Sequence, residues 1–179
     1  ESLAATHSEA LRRALEASAA RNRELERLRH LAATLLSGRD VIELQQEVAR
    51  AAADLLEAES GGVAMVVEEG RFMKIAAATG PLAGSLGLLL PMDGSLLGWA
   101  VAHDTPLVSD DMERDPRSHT ASSVPLALMT TAIAPLRSAG IVVGAVAVYN
   151  RRDGRPFSEH DLQLLQILGD QVVVGLDRA

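Results

Sequence analysis

Few side chains in this 179-residue sequence are of types that do chemistry, and their spacing excludes most of it. There is no cysteine, which removes thiolate nucleophiles, thiolate metal ligands and disulfides together. In the run DGSLLGWAVAHDTPLVSD, Asp93 to Asp110, Gly94 and Gly98 do not make the GxGxxG of a dinucleotide loop, and no GK[ST] is present. Ala83-Gly84-Ser85-Leu86-Gly87 is an alanine variant of the GxSxG nucleophile elbow, but it lacks the strand–turn–helix context that exposes such a serine. Asp110, Asp111, Glu113, Asp115 and His119 bunch as metal ligands do, yet no calcium-loop glycine is present and Pro116 breaks the spacing. A solvated, mobile lid over Ser109–Ser123 is the expectation for such a charged stretch. His103 and His119 are the two nitrogens that could reach a haem as axial ligands, but a lone loop histidine is ordinarily a surface residue. No nucleophile, metal set or carboxylate pair is assembled, so this segment is not expected to be an enzyme.

The composition fits a folded globular domain better than a nucleic-acid or membrane protein. The chain is 47% hydrophobic and 23% charged, which is globular, and 2% aromatic, so its core must be built from Ala, Val, Leu and Ile. Residues 1–37 hold six Arg and five Glu, so the net charge of −7 rests on the remainder. An acidic body repels phosphate backbones, and no nucleic-acid partner is expected. No apolar run approaches the ~20 residues of a membrane span, and no signal peptide is visible. We expect no membrane contact from this segment and a cytoplasmic location. A first residue of Glu1 and not methionine leads us to expect a piece of a longer protein.

These residues need elements to hold them. From about Leu3 to Leu36 there is no Gly or Pro, and Ala, Leu, Glu and Arg dominate, which is helix composition. Such a helix is roughly 50 Å long, against a radius of gyration of roughly 14 Å for the remaining body. It must project or pack on a second copy. A heptad reading places Ala4, Leu11, Ser18, Leu25 and Ala32 at one core position and His7, Ala14, Arg21, Leu28 and Leu35 at the other. The seam is apolar over Leu25–Leu35 and poor at Ser18 and Arg21. Ser37-Gly38-Arg39-Asp40 then stops this helix and caps the next, where Val41, Leu44, Val48, Ala52 and Leu55 recur at helical spacing.

Glu59-Ser60-Gly61-Gly62 reads as a break, and Val63–Val67 and Arg71–Thr79 as a hairpin about Glu68-Glu69-Gly70. Gly80 to Gly87 reads as a loop. Ser95 caps a short helix whose Leu96, Trp99 and Ala100 share a face. Gly98 inside that helix costs about 1 kcal/mol relative to alanine, and admits the close approach of either a strand or a ligand. Met129–Leu136 and Ile141–Tyr149 form a second hairpin. The last helix, from about Ser158, is apolar on two sides: Leu162, Leu165, Gly169, Val172 and Leu176 on one, Leu164, Ile167, Leu168 and Val174 on the other. One side can cover a sheet and the other a partner helix. Tight turns between neighbouring strands imply antiparallel pairing. The reading is an α+β domain over residues 38–179, with helices on one face of an antiparallel sheet, preceded by a signalling or dimerisation helix over 1–37.

Three stretches in this order, LPMDGSLLGWAVAHDTPLVSDDMERDPR, AIAPLRSAGIVVGAVAVYN and FSEHDLQLLQILGDQVVVGL, resemble the GAF domain, the small-molecule-binding sensory module of signalling proteins. The resemblance covers residues 38–178. It implies about six antiparallel strands, with a pocket on one face walled by the short helix and the irregular segment before the last two strands. On that pattern the pocket takes Met65, Leu96, Trp99, Met112, Thr131 and Ile133 as aliphatic and aromatic walls, with Asp111, His119 and Ser123 as polar contacts. Asn150, Arg151, Phe157 and Asp161 loosely match the family's Asn-Lys…Phe-x-x-x-Asp-Glu signature; Arg151 replaces lysine, and Leu162 stands where glutamate should. The resemblance implies an Arg151–Asp161 pair joining the last strand to the last helix, beside the capping box that Ser158 and Asp161 spell out. Without cysteine, the bilin ligands and the free-methionine-sulfoxide reductase chemistry of relatives are not expected. No cofactor is singled out. The expected role is a sensor of a small molecule that acts as a homodimer through both terminal helices on an output domain beyond Ala179, such as a kinase, phosphatase or cyclase of a two-component system. A ligand-free dimerising spacer is the alternative.

Overall fold

The computed structural model describes residues 2–35, 41–118 and 130–178, with side-chain surroundings for 3–29, 41–118 and 130–171. The chain runs α1 (Ser2–Leu35), α2 (Val41–Leu55), β1 (Ala58–Val67), β2 (Phe72–Ala78), β3 (Leu89–Pro91), α3 (Leu96–Ala102), β4 (Leu107–Ser109), β5 (Thr131–Ser138), β6 (Ile141–Arg151) and α4 (Glu159–Arg178). The strands form one antiparallel sheet in the order β3-β2-β1-β6-β5-β4. Its two central strands are therefore the long β1 and β6, and the three-residue strands β3 and β4 are its edges.

Strand alternation sends two apolar sets to opposite faces. Val63, Ala132, Ala134, Val146 and Val148 pack with Leu44, Val48 and Ala52 of α2 and Leu165 and Leu168 of α4. Ala64, Ile133, Ala145, Ala147 and Tyr149 pack with Leu96, Leu97 and Ala100 of α3. The helices read as covering one face are thus α2 and α4, with Leu28 of α1 fully buried against them. The short helix takes the other face, as the resemblance implies. Leu28 is a correction to the heptad reading: it belongs to the core of its own subunit. Ala32, Leu35, Val172, Val174 and Leu176 of the proposed seams lie outside the described side chains.

One boundary moves for a clear physical reason. β1 begins at Ala58, so Glu59 to Gly62 continue the strand and do not break it. A Cβ on Gly61 would lie 2.1 Å from the carbonyl oxygen of Ala49. The glycine lets α2 lie directly on the strand, and a turn residue and a packing residue look alike in sequence.

Candidate functional site

The site grows from α3. Gly94, at φ 89, turns the chain out of Met92-Asp93. Ser95 then caps α3, accepting the Gly98 N–H at 3.1 Å while its own hydroxyl donates to the Pro91 carbonyl at 2.7 Å. Gly98 is required by packing: a Cβ there would lie 1.9 Å from the Met92 carbonyl oxygen. Of the two occupants the sequence allowed, the neighbouring backbone holds the space.

Trp99 is half-buried on this helix. His103 stacks on it with centroids 4.2 Å apart and rings 18° from parallel. The Arg117 guanidinium stands over the indole at 5.3 Å, within cation–π range. Sequence reading missed Arg117. Its Nη2 donates to Asp115 Oδ2 at 2.7 Å and to the Val108 carbonyl at 3.0 Å. One guanidinium thus blunts the open edge of β4, fixes the root of the 110–118 loop and caps an aromatic face. The Asp115 carboxyl is held far below the usual carboxylate range, first by its hydrogen bond from Arg117.

The predicted residues separate into groups. Leu96, Trp99, Met112 and Ile133 pack in one cluster on the α3 face, and Thr131 shares the Ile133 side of β5. Met65 does not join them. It alternates with Ala64 and Val66, and packs with the cluster under α2 and α4. Asp111 points outward, accepting the Arg114 N–H at 3.2 Å, and lines an open cleft of about 490 Å³ along the β4 edge with Ser109, Asp115, Arg117 and Phe157. His119 and Ser123, with the rest of the proposed lid beyond Ser118, lie outside the described residues.

Tyr149 is the second residue that sequence reading missed. The chain's single tyrosine is buried beside Thr131 on the α3 face. Burial pushes its phenol pKa up. Its signal was a lone phenol in an apolar strand, since buried tyrosines usually find a partner. At the far end of β6, Asn150 adopts φ 56 and turns Arg151 towards α4. Arg151 Nη1 donates to Asp161 Oδ2 at 2.9 Å, while Ser158 Oγ accepts the Asp161 N–H at 3.1 Å and Asp161 accepts the Ser158 N–H at 2.9 Å. The ion pair and the capping box both form, on one carboxylate. Among the described residues no group of three His, Asp or Glu could hold a metal ion, and no helix is long and apolar enough to cross a membrane.

Helices from both ends of the chain on one face of a six-stranded antiparallel sheet, with a short helix opposite, define a class of small α+β modules. A family model for the GAF domain matches residues 38–177, and the chain belongs to that family. Its fold is similar to the GAF domain of an Acinetobacter phosphoenolpyruvate-protein phosphotransferase, at TM-score 0.75 and 18% identity over 88% of this chain and 95% of that one. It is also similar to residues 122 to 287 of a methyl-accepting chemotaxis protein (TM-score 0.72, 22% identity, 83% and 95% covered). A third likeness is to the free methionine-R-sulfoxide reductase of Neisseria meningitidis, solved with its substrate (TM-score 0.70, 19% identity, 84% and 86% covered).

Proposed function

We propose that this GAF domain is a sensory module: a small ligand binds on the α3 face, and the terminal helices carry the change to an output domain. One observation carries the reading. On β5 and β6 the residues facing α3 alternate with residues facing α4, so Thr131, Ile133 and Tyr149 on one side are interleaved with Ala132, Ala134 and Val148 on the other. A ligand that shifts either strand moves the α4 surface by the same amount, because packed layers transmit strain. Helix α1 is tied to α4 by Leu28 and by His160 Nε2 on Glu24 at 3.1 Å. Any movement of α4 therefore reaches α1. The terminal helices join two copies into a homodimer, and the partner of the relay lies outside the chain.

The reductase likeness does not extend to chemistry in this reading, since the chain has no cysteine. A ligand-free spacer is favoured by one observation, that the Met92 carbonyl fills the room Gly98 makes. Native mass spectrometry of the purified protein separates the two. The sensory reading expects a dimer mass with a retained small molecule, or one that gains a molecule from a metabolite extract. A dimer that takes up nothing from the extract leaves the spacer.

A further inference from the structure

The outer edge of β5 is covered by a strand for only part of its length. β4 pairs with Thr131 to Ile133, and no described strand lies beside Ala134 to Ser138 on that side. Side chains take its place. From α4, Gln166 Nε2 donates to the Pro135 carbonyl at 3.3 Å and to Asp170 Oδ1 at 2.8 Å. Arg137 follows a register shift after Leu136. Its Nη2 pairs with Asp104 Oδ1 at 2.5 Å, and its Nη1 lies 4.0 Å from Asp170 Oδ1. Asp104 stands just past α3 and Asp170 on α4, so one guanidinium reaches round the bare edge from one face of the sheet to the other.

Asp104 is an unexpected residue type for its place. The chain leaves α3 through it at φ 48, with the Thr105 N–H donating back to the Ala100 carbonyl at 3.0 Å. Glycine fills such a left-handed position after a helix with least strain. An aspartate there accepts some strain and brings a carboxylate. The turn itself has no need of that carboxylate; Arg137 does. The guanidinium is also shared unequally. Asp104 holds it closely, while Asp170 stands at the limit of an ion pair and is held by the Gln166 amide. Asp170 is therefore the near alternative partner for a cation now engaged on the α3 side.

We propose that Arg137 is a two-way latch between the faces of the sheet, engaged on Asp104 while α3 sits as it does here and passing to Asp170 when the exit of α3 moves away. The inference rests on the sensory reading and gives it a route from the α3 face to α4. Arg137, Asp104 and Asp170 are positioning residues in it. Exposed ion pairs are weak, so the two arrangements lie close in energy and a small movement at α3 shifts the balance. Transfer of the guanidinium ties Asp170, and with it the middle of α4, more firmly to β5.

Amide hydrogen exchange on the purified protein, with no ligand added, tests the latch through opposite signs. Asp104→Asn keeps the side-chain shape and suits the left-handed backbone, and it frees Arg137 for Asp170. The α4 amides from Gln166 to Gln171 should then exchange about twofold more slowly. Arg137→Gln removes the latch, and the same amides should exchange about twofold faster. Asp104→Asn combined with Asp170→Asn should abolish the slowing. The amides of Val63 and Val146 in the central strands should not change in any variant. Faster or unchanged α4 exchange in Asp104→Asn overturns the inference, because an ordinary surface pair loosens its own end and reaches no further. So does slowing that survives Asp170→Asn, or a change at the central strands, which marks a general effect on stability. Failure of the sensory reading shows separately, as a native mass spectrum that takes up no molecule.

Discussion

A single hydrogen atom at Gly98 decides how α3 sits. Alanine there gains helix propensity, about 1 kcal/mol, but its Cβ would meet the Met92 carbonyl at 1.9 Å, and a carbonyl cannot rotate away as a side chain can. Overpacking costs about 1–3 kcal/mol where the surroundings give, and here they give little. Gly98→Ala should therefore lower stability by about 2 kcal/mol, read as a lower urea midpoint at unchanged slope; an unchanged midpoint would show the contact is looser than this. Tyr149 sets a pH limit of its own. Its folded pKa is raised by burial, while the unfolded phenol titrates near 10. Below that pH both states keep the proton and stability is level. Above it only the unfolded chain loses the proton, so stability falls by about 1.4 kcal/mol per pH unit. Tyr149→Phe should remove that slope; equal slopes in the two proteins would mean the phenol is not shielded. Residues such as Leu96 and Trp99 were legible because helical spacing assigns a face. Met65 was not, because a period of two tells which residues share a face and not which face meets α3. Tyr149 was hidden because a strand that is apolar on both sides offers no contrast.

Elements hold their places through a few polar joints. The start of α4 hangs on Asp161, which caps the helix with Ser158 and takes Arg151 from the end of β6. Arg151 keeps Asp153 at 2.9 Å when Asp161 is removed, so no cation is stranded. Asp161→Ala should cost about 2 kcal/mol, and Asp161→Asn about half as much, since an amide oxygen can still cap. If both substitutions leave the urea midpoint unchanged, the joint contributes nothing. The motif letters around Phe157 pointed to this joint, and geometry added that one carboxylate serves both roles. The strands were less legible. Glu59 to Gly62 looks like a break because Gly is read as a turn former, yet Gly61 is there so that the Ala49 carbonyl can approach. The edge strands β3 and β4 are three residues each, too short for any alternation to register. Arg117 could not be found from sequence at all, since its three partners are brought to it only by the turn at Asp115.

At the scale of the whole molecule, α1 is the part that its own subunit cannot explain. Residues 3–23 are exposed throughout, about 30 Å of helix standing clear of the body. Its ion pairs, Arg12 with Glu9 and Glu16 and Arg13 with Glu9, are surface pairs that contribute a few tenths of a kcal/mol each. Most helical stability in proteins comes from packing an apolar face, and this stretch packs none on the body. It also presents Leu11 and Leu15, 61% and 63% exposed and one turn apart, with Leu3 two turns before Leu11. The same helix buries Leu28 within the subunit. In the homodimer proposed above, the seam should therefore run through the N-terminal half, since Leu28 of the heptad seam is taken up by the core of its own chain. This separates two substitutions that the sequence would treat alike. Leu11→Asp with Leu15→Asp should turn a dimer into a folded monomer, with unchanged far-ultraviolet signal from the body. Leu28→Asp should unfold the body, because it places a charge in a core with no counter-ion. Sedimentation equilibrium reads the first outcome and a thermal melt reads the second. A Leu11/Leu15 variant that remains a dimer would move the interface to α4, whose second apolar side, Leu164 and Ile167, is only partly covered by the fold.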